Sequence, residues 1–349
     1  MNNRIPTRRV GKTSLTVTEL GLGTAPLGNL YKPVSDYDSD GACAAALEIG
    51  IGYVDTAPYY GFGLSERRVG DALRGCDSIV VSTKVGRLLK PDPRLRGANE
   101  RHGYCSPLPF VPVYDYSFDG VMASWEASLQ RLGLARVDIL YVHDIGRLTH
   151  GAADEAHFRQ LTQGGGFRAL EQLRAAGAIQ AFGLGVNEIP VCLEAMNHAQ
   201  LDVILLAGRY TLLEQGALDA LLPACQRLGT SIVIGGPYNS GILATGTRHG
   251  GALYYNYGTA PQTVVDRVRR LERICDRFDI PLAAAALQFP LAHPQVASVI
   301  PGLCSAHHVE LTAKLYATVI PAPFWQELKG TGLLHADAPL PPGEASSPA

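Results

Sequence analysis

Short, almost wholly apolar runs punctuate the chain, centred near residues 20, 53, 81, 140, 183, 204, 233 and 298. They are continuous rather than alternating, which predicts strands buried on both faces, as in a parallel sheet. A helical pattern follows each one. Helices are expected near Asp40–Ile49, Ser65–Leu73 (with Ser65 as N-cap), Phe118–Leu132, Phe167–Ala176 and Pro190–His198. Others are expected near Gly216–Leu228, Thr263–Phe278, Leu282–Leu291 and Ser305–Tyr316, with Gly50, Gly177 and Gly229 as stop signals. Eight consecutive strand–helix units fit a closed (β/α)8 TIM barrel, an α/β fold, better than an open sheet. Residues 8–22 read as two short strands, Arg9–Thr13 and Val17–Leu22, and the opening hairpin would plug the barrel's N-terminal end. A single domain is expected over 1–330, followed by a Pro/Ala/Ser-rich flexible tail over 331–349.

The periodicity breaks once, over residues 87–116. That stretch is rich in Pro, Gly and Arg, with Tyr104, Phe110, Tyr114 and Tyr116 interleaved. Long aperiodic segments inside a compact domain are functional or disordered, and the aromatics favour a loop covering a site, with Tyr114 and Tyr116 as substrate contacts. Composition adds little: 46% hydrophobic, 18% charged and a net charge of −2 describe a globular protein with a large core. They give no reason to expect nucleic acid or an anionic membrane as partner. The seven cysteines are odd in number and form no C-x-x-C pair, so free thiols in a reducing compartment are expected. The N-terminus carries no apolar signal segment and no window approaches the ~20 apolar residues of a membrane span. The expectation is a soluble, cytoplasmic protein, monomeric or a small homo-oligomer. His102, His150 and His249 have no ligand-like spacing, so no metal is expected.

The chemistry gathers at strand ends. Asp55, Lys84 and His143 each end an apolar run, and Tyr60 lies in the Pro/Gly-rich turn after Asp55. In a barrel those ends ring one mouth. Each residue alone has a structural explanation: Asp55 a loop cap, Lys84 a surface lysine, His143 a satisfied core histidine. Four at one mouth are better explained by a reaction. A phenol titrates near ~10, and a nearby ammonium favours the phenolate and lowers that value. A carboxylate keeps the ammonium charged and aimed, and an imidazole can hydrogen-bond the reacting oxygen.

The motifs Gly21-Leu22-Gly23-Thr24-Ala25, Asp55-Thr56-Ala57-Pro58-Tyr59-Tyr60-Gly61, Ser82-Thr83-Lys84, Tyr141-Val142-His143-Asp144 and Ile300-Pro301-Gly302, in that order and spacing, resemble the aldo-keto reductases over about residues 8–317. The resemblance implies a (β/α)8 oxidoreductase using a nicotinamide cofactor, with Asp55, Tyr60, Lys84 and His143 as its catalytic tetrad. Tyr60 would be the general acid in reduction and the general base in oxidation, and His143 would orient the substrate oxygen. Segments such as Tyr60-Gly61-Phe62-Gly63-Leu64-Ser65-Glu66-Arg67-Arg68 and His143-Asp144-Ile145-Gly146 are most similar to the aldose 1-dehydrogenase branch. The implied reaction is oxidation of an aldose such as L-fucose or D-arabinose at C1 to the lactone. Pyridoxal 4-dehydrogenation is the alternative; a non-catalytic nucleotide-binding regulatory subunit is the reading from another class.

The implied cofactor contacts are Gly23, Thr24, Asn187, Gly236, Pro237, Tyr238, Gly241, Gly302, Ser305 and His308. The pattern departs from the family at this end. The glutamine expected on the sixth strand aligns with Ala207, and the aromatic that stacks on the nicotinamide aligns near Gly235, leaving Tyr238 as the substitute. Gly302 and His308 stand where basic residues would grip a 2′-phosphate. A dianionic phosphate would be poorly paired there, so NAD is expected, with NADP as the alternative.

Overall fold

The computed structural model describes residues 5–342. Eight parallel strands follow one another around a single sheet: Leu22–Gly23, Tyr53–Asp55, Val80–Val85, Ile139–His143, Ala181–Val186, Val203–Ala207, Ser231–Gly235 and Val296–Ile300. The Gly21 N–H donates to the Val299 carbonyl (3.0 Å) and the Gly23 N–H to the Pro301 carbonyl (2.9 Å), so the last strand pairs with the first. The closed (β/α)8 barrel expected from the apolar runs is the fold observed.

Strand side chains alternate between lumen and exterior. Val54, Leu140, Val142 and Phe182 face outward into the large core shared with the helices. Tyr53, Tyr141, Val203, Leu205, Val233 and Ile300 belong to a separate inner cluster. Val10, Leu15 and Val17 of the opening hairpin complete that cluster, so the hairpin is the plug. Its strands are Thr7–Arg9 and Thr16–Thr18, and the chain bends before the barrel strand begins at Leu22. A single strand over Val17–Leu22 is therefore corrected: one apolar run serves two elements.

Other local expectations shift for physical reasons. Ser65 is not the N-cap of its helix, which spans Leu64–Ala72 and is capped by Gly63. The Ser65 hydroxyl instead donates to Thr24 (2.8 Å) and lies 3.0 Å from Thr56 Oγ1, tying the helix to the loops after the first two strands. Glu66 is fully buried, accepting hydrogen bonds from Thr83 (2.7 Å) and Arg131 (2.5 Å), which pins that helix to the third strand. Helices Arg147–His150, Asp154–Thr162 and Ala322–Gly330 add to those expected from the pattern.

Residues 87–116 are folded. Arg87–Pro91 pairs antiparallel with Phe110–Tyr114, and Glu100–Arg101 with Tyr104–Cys105 between them. Pro91 and Pro112 sit within these strands, as edge hairpins allow, and neither strand shows the alternation that marks a half-buried strand. Nor is the chain loose from residue 331 onward. Leu333, Leu334 and Ala338 are buried, and the His335 N–H donates to Gln215 Oε1 (2.5 Å). The remainder of the expected tail, 343–349, lies outside the described residues. Among the described residues, no helix is long and apolar enough to cross a membrane.

Candidate active site

Asp55, Lys84 and His143 occupy the lumen positions at the ends of the second, third and fourth strands, because each lies two residues beyond an inward-facing neighbour. Lys84 Nζ donates to Asp55 Oδ2 (2.7 Å) and to the Thr56 carbonyl (2.8 Å), with both side chains almost wholly buried. Tyr60 is placed from the side. Gly28 and Gly61 pack back to back, and a Cβ on Gly61, whose φ is +64°, would lie 2.5 Å from the Gly28 carbonyl oxygen. That close approach folds the 60–63 turn over the strand ends. The Tyr60 ring centroid is then 4.7 Å from Lys84 Nζ and 6.1 Å from the His143 ring. All four expected groups meet at one mouth.

Beneath them runs a chain of hydroxyls that carries no spacing signal in the sequence. Ser82 donates to Asp55 Oδ1 (2.7 Å), Tyr53 OH lies 3.0 Å from Ser82 Oγ, and Tyr141 OH lies 3.0 Å from Tyr53 OH. With Ser82 donating to the carboxylate, Tyr53 donates to Ser82 and Tyr141 to Tyr53. Every hydroxyl dipole in the chain points toward Asp55.

The electrostatics differ from expectation at one point. Burial pushes the Tyr60 phenol well above its usual range, and Asp55 pushes it the same way. The lysine was expected to lower it. Its ammonium is instead spent on Asp55 and the Thr56 carbonyl, and it lies over the ring. Burial also raises Asp55, while Lys84 and Ser82 pull it back. His143 is held well below the ordinary imidazole range by burial and by the cations Arg87 and Lys84, so it is neutral at pH 7.

Two lobes open around Tyr60. The first, about 380 Å³, is lined by Gly23, Thr24 and Gly302 on one side and by Gly236, Pro237, Tyr238 and Gly241 on the other. The second, about 540 Å³, is lined by Lys84, His143, Tyr114 and Asn187. Tyr31, Tyr60, Ala207 and Tyr257 border both. Three of the residues expected to make contacts are elsewhere. Tyr116 is fully buried, donating to the His143 carbonyl (2.8 Å), with its ring packed where a side chain on Gly86 would be. Ser305 caps the last long helix, accepting from the His308 N–H (3.3 Å), and the His308 ring turns to Cys304. The positive charge of Lys32 acts on both His308 and Cys304, so a cation from the loop after the first strand reaches this corner.

The wall of the second lobe includes residues with no expected role: Tyr59 and Asp144, inside the motifs above, and Arg87 and Tyr257, outside them. Arg87 starts the covering hairpin and pairs with Asp144 (2.5 Å). Its guanidinium lies 4.3 Å from the Tyr59 ring centroid and 5.5 Å from that of Tyr114. Tyr257, on a small hairpin over 254–259, is latched by its N–H to Ser240 Oγ (3.0 Å). No cluster of three or more His, Cys, Asp or Glu side chains suited to a metal occurs among the described residues.

Comparison with known proteins agrees with this geometry. The profile of the Aldo/keto reductase family matches residues 19–331. A pyridoxal 4-dehydrogenase of Microbacterium luteolum is 48% identical over 337 residues, 94% of this chain and 97% of that protein. A D-threo-aldose 1-dehydrogenase of a Pseudomonas species is 40% identical over 326 residues, covering 92% and 95%. Among solved structures, the holo form of an aldo-keto reductase from Bacillus halodurans superposes with a TM-score of 0.72 at 26% identity, covering 96% of this chain and 98% of that one.

Proposed function

The chain belongs to the aldo/keto reductase family, and within it we propose that it oxidises a cyclic hemiacetal to the lactone with a nicotinamide cofactor, pyridoxal before aldose. The two substrate classes share their chemistry. The 5-hydroxymethyl group of pyridoxal closes on its 4-aldehyde just as a sugar hydroxyl closes on C1, and both rings carry a C–H and an O–H on the reacting carbon. The observation that carries pyridoxal ahead is the wall of the second lobe. Tyr31, Tyr59, Tyr104, Tyr114 and Tyr257, with His102, present flat rings, and beyond the groups around Tyr60 the polar side chains are the Arg87–Asp144 ion pair, Thr149 and Asn187. Rings stack on a planar heteroaromatic, whereas a sugar calls for hydrogen-bonding partners around its whole rim. The 48% identity to a pyridoxal 4-dehydrogenase supports the same order.

The other lobe suits a dinucleotide. Gly236, Asn239, Ser240 and Gly241 all have positive φ, which turns the loop after the seventh strand into a concavity of the kind that binds phosphate, and nothing lies within 4 Å of where a Cβ on Gly241 would be. Gly23, Thr24 and Gly302 would form the facing wall, with Tyr31 and Tyr257 at the junction by Tyr60. A bound nicotinamide supplies the acceptor for the hydride that leaves the substrate carbon. The chain's own residues do the rest. Tyr60 takes the hydroxyl proton as the C=O forms, neutral His143 donates to the same oxygen, and Lys84 with Asp55 and the hydroxyl chain below fixes Tyr60 in place. We favour NAD, because neither Gly302 nor His308 offers a cation. The positive charge of Lys32, felt at His308, is the observation that favours NADP.

The test is NADH formation by the purified protein with pyridoxal, L-fucose and D-arabinose, repeated with NADP. The reading expects turnover of pyridoxal above either sugar, with NAD preferred. Oxidation of sugars alone would return the aldose reading, and no oxidation of any hemiacetal would remove the function proposed.

A further inference from the structure

We propose that Arg87 is the specificity residue of this site, binding an ionised ring hydroxyl adjacent to the reacting carbon of the substrate; the proposal rests on the pyridoxal reading above. Arg87 is 5% exposed on its side chain and lines the second lobe together with Tyr60 and His143. A guanidinium has five N–H donors, and the structure uses few of them. Nη2 is bonded to Asp144, Nε is buried with no partner of good geometry, and Nη1 makes no hydrogen bond of good geometry among the described residues. The further oxygen near the guanidinium is the Tyr116 hydroxyl, itself committed to the His143 carbonyl. Leaving a buried donor such as Nε unpaired is costly, and such a group is held there only when its surroundings over-determine it. Tyr59 and Tyr114 provide that hold, placing the guanidinium against their rings. Asp144 keeps its position at φ +44°, in a region unfavourable to non-glycine residues, with its N–H on the Gly185 carbonyl (2.9 Å).

The substrate offers what this wall lacks. The hydroxyl of a 3-hydroxypyridine is acidic, and its ring nitrogen basic, so pyridoxal in neutral water carries a phenolate oxygen beside the carbon that is oxidised. An aldose offers only neutral hydroxyls. A phenolate placed on the free edge of Arg87 would be met by a charge-assisted hydrogen bond while its ring lies among the tyrosines. The Arg87 charge already acts on both Tyr60 and His143, so the site that would hold the phenolate adjoins the one that moves the proton.

The experiment compares kcat/KM for pyridoxal and 3-O-methylpyridoxal, which keeps the hemiacetal and loses the phenolate, in the wild-type protein, Arg87→Lys and Arg87→Met. The wild type should prefer pyridoxal by about tenfold to a hundredfold, carried mainly by KM. Arg87→Met should bring the two within about threefold of one another by losing pyridoxal selectively, and Arg87→Lys should recover part of the preference. Added methyl bulk alone would leave the preference intact in Arg87→Met, and that result overturns the assignment. So does equal use of the two compounds by the wild type, which needs no variant to fold, or an equal loss of both in Arg87→Met, which marks a structural arginine. If the wild type oxidises a sugar but not pyridoxal, the pyridoxal reading itself fails; oxidation of pyridoxal without discrimination overturns Arg87 alone.

Discussion

Two buried ion pairs join the third barrel strand and its extension to neighbouring segments of the site, and they are built differently. Asp55–Lys84 lies on the floor, at the ends of adjacent strands. Its lysine has two acceptors and its carboxylate two donors, Lys84 and Ser82, with the Tyr53 and Tyr141 hydroxyls lined up behind Ser82. Arg87–Asp144 lies in the wall, just beyond the strand ends, and is incomplete: one guanidinium N–H is engaged and the others face rings or the lobe. A saturated pair holds a geometry and has little left for a ligand. An unsaturated one is stable only while aromatic packing confines it, and it gains when a ligand supplies the missing acceptor. Floor and wall thus divide the work: the floor fixes the proton-transfer group, and the wall reads what is brought to it.

The floor can be broken most severely at Lys84. Lys84→Met leaves Asp55 buried without its counter-charge, and removing one partner of a buried pair costs about 3–5 kcal/mol. The variant should unfold at much lower denaturant concentration and lose activity together with stability, as urea titration and NADH formation would show. Tyr60→Phe tests the chemistry without disturbing the pair. Its turnover should fall by about 10²–10⁴-fold with an unchanged unfolding midpoint. Full activity in this variant would mean that another group moves the proton.

The pH profile sharpens the same point. The Tyr60 phenol is raised, so it holds its proton at neutral pH and the basic form needed for oxidation is scarce. Oxidation should therefore accelerate as pH rises above 7, while reduction, which uses the protonated form, should stay level over that range. His143 is depressed and neutral throughout, so neither direction should show an imidazole step between pH 6 and 8. A fall in the oxidation rate on raising pH from 7 to 9, with the protein still folded, would refute this. The smallest effect is expected deepest in the floor. Tyr53→Phe interrupts the hydroxyl chain between Ser82 and Tyr141 and should cost about 1 kcal/mol of stability with a few-fold loss in kcat and little change in KM. A loss as large as that of Tyr60→Phe would make the chain part of the proton path rather than a brace.

The apolar runs determined the barrel, because a strand covered on both faces must be apolar along its length whatever surrounds it. Strand ends fixed three of the four floor residues for the same reason: in a closed barrel, the last inward position of each strand faces one mouth, so Asp55, Lys84 and His143 needed only the count of strands to be brought together. Tyr60 followed from its turn. The wall was legible only in part. The aromatics of 87–116 pointed to a covering segment and to Tyr114, which lines the lobe, but not to Arg87 or Asp144. Tyr114 and Arg87 are brought together by a hairpin broken by prolines, and Tyr257 arrives from a second hairpin more than a hundred residues further on. Tyr116 shows the limit most plainly. It is two residues from Tyr114, yet one ring lines the lobe and the other is sealed against Gly86 beneath it. Charge was equally a matter of folding. From spacing, a lysine near a tyrosine lowers its pKa; in the folded chain that lysine is committed to Asp55, and burial decides the direction instead. Local pattern settles which residues end strands, because that depends on near neighbours alone. Which donors are left free, and which groups lose their water, depends on every segment that packs around them, and only the tertiary structure decides it.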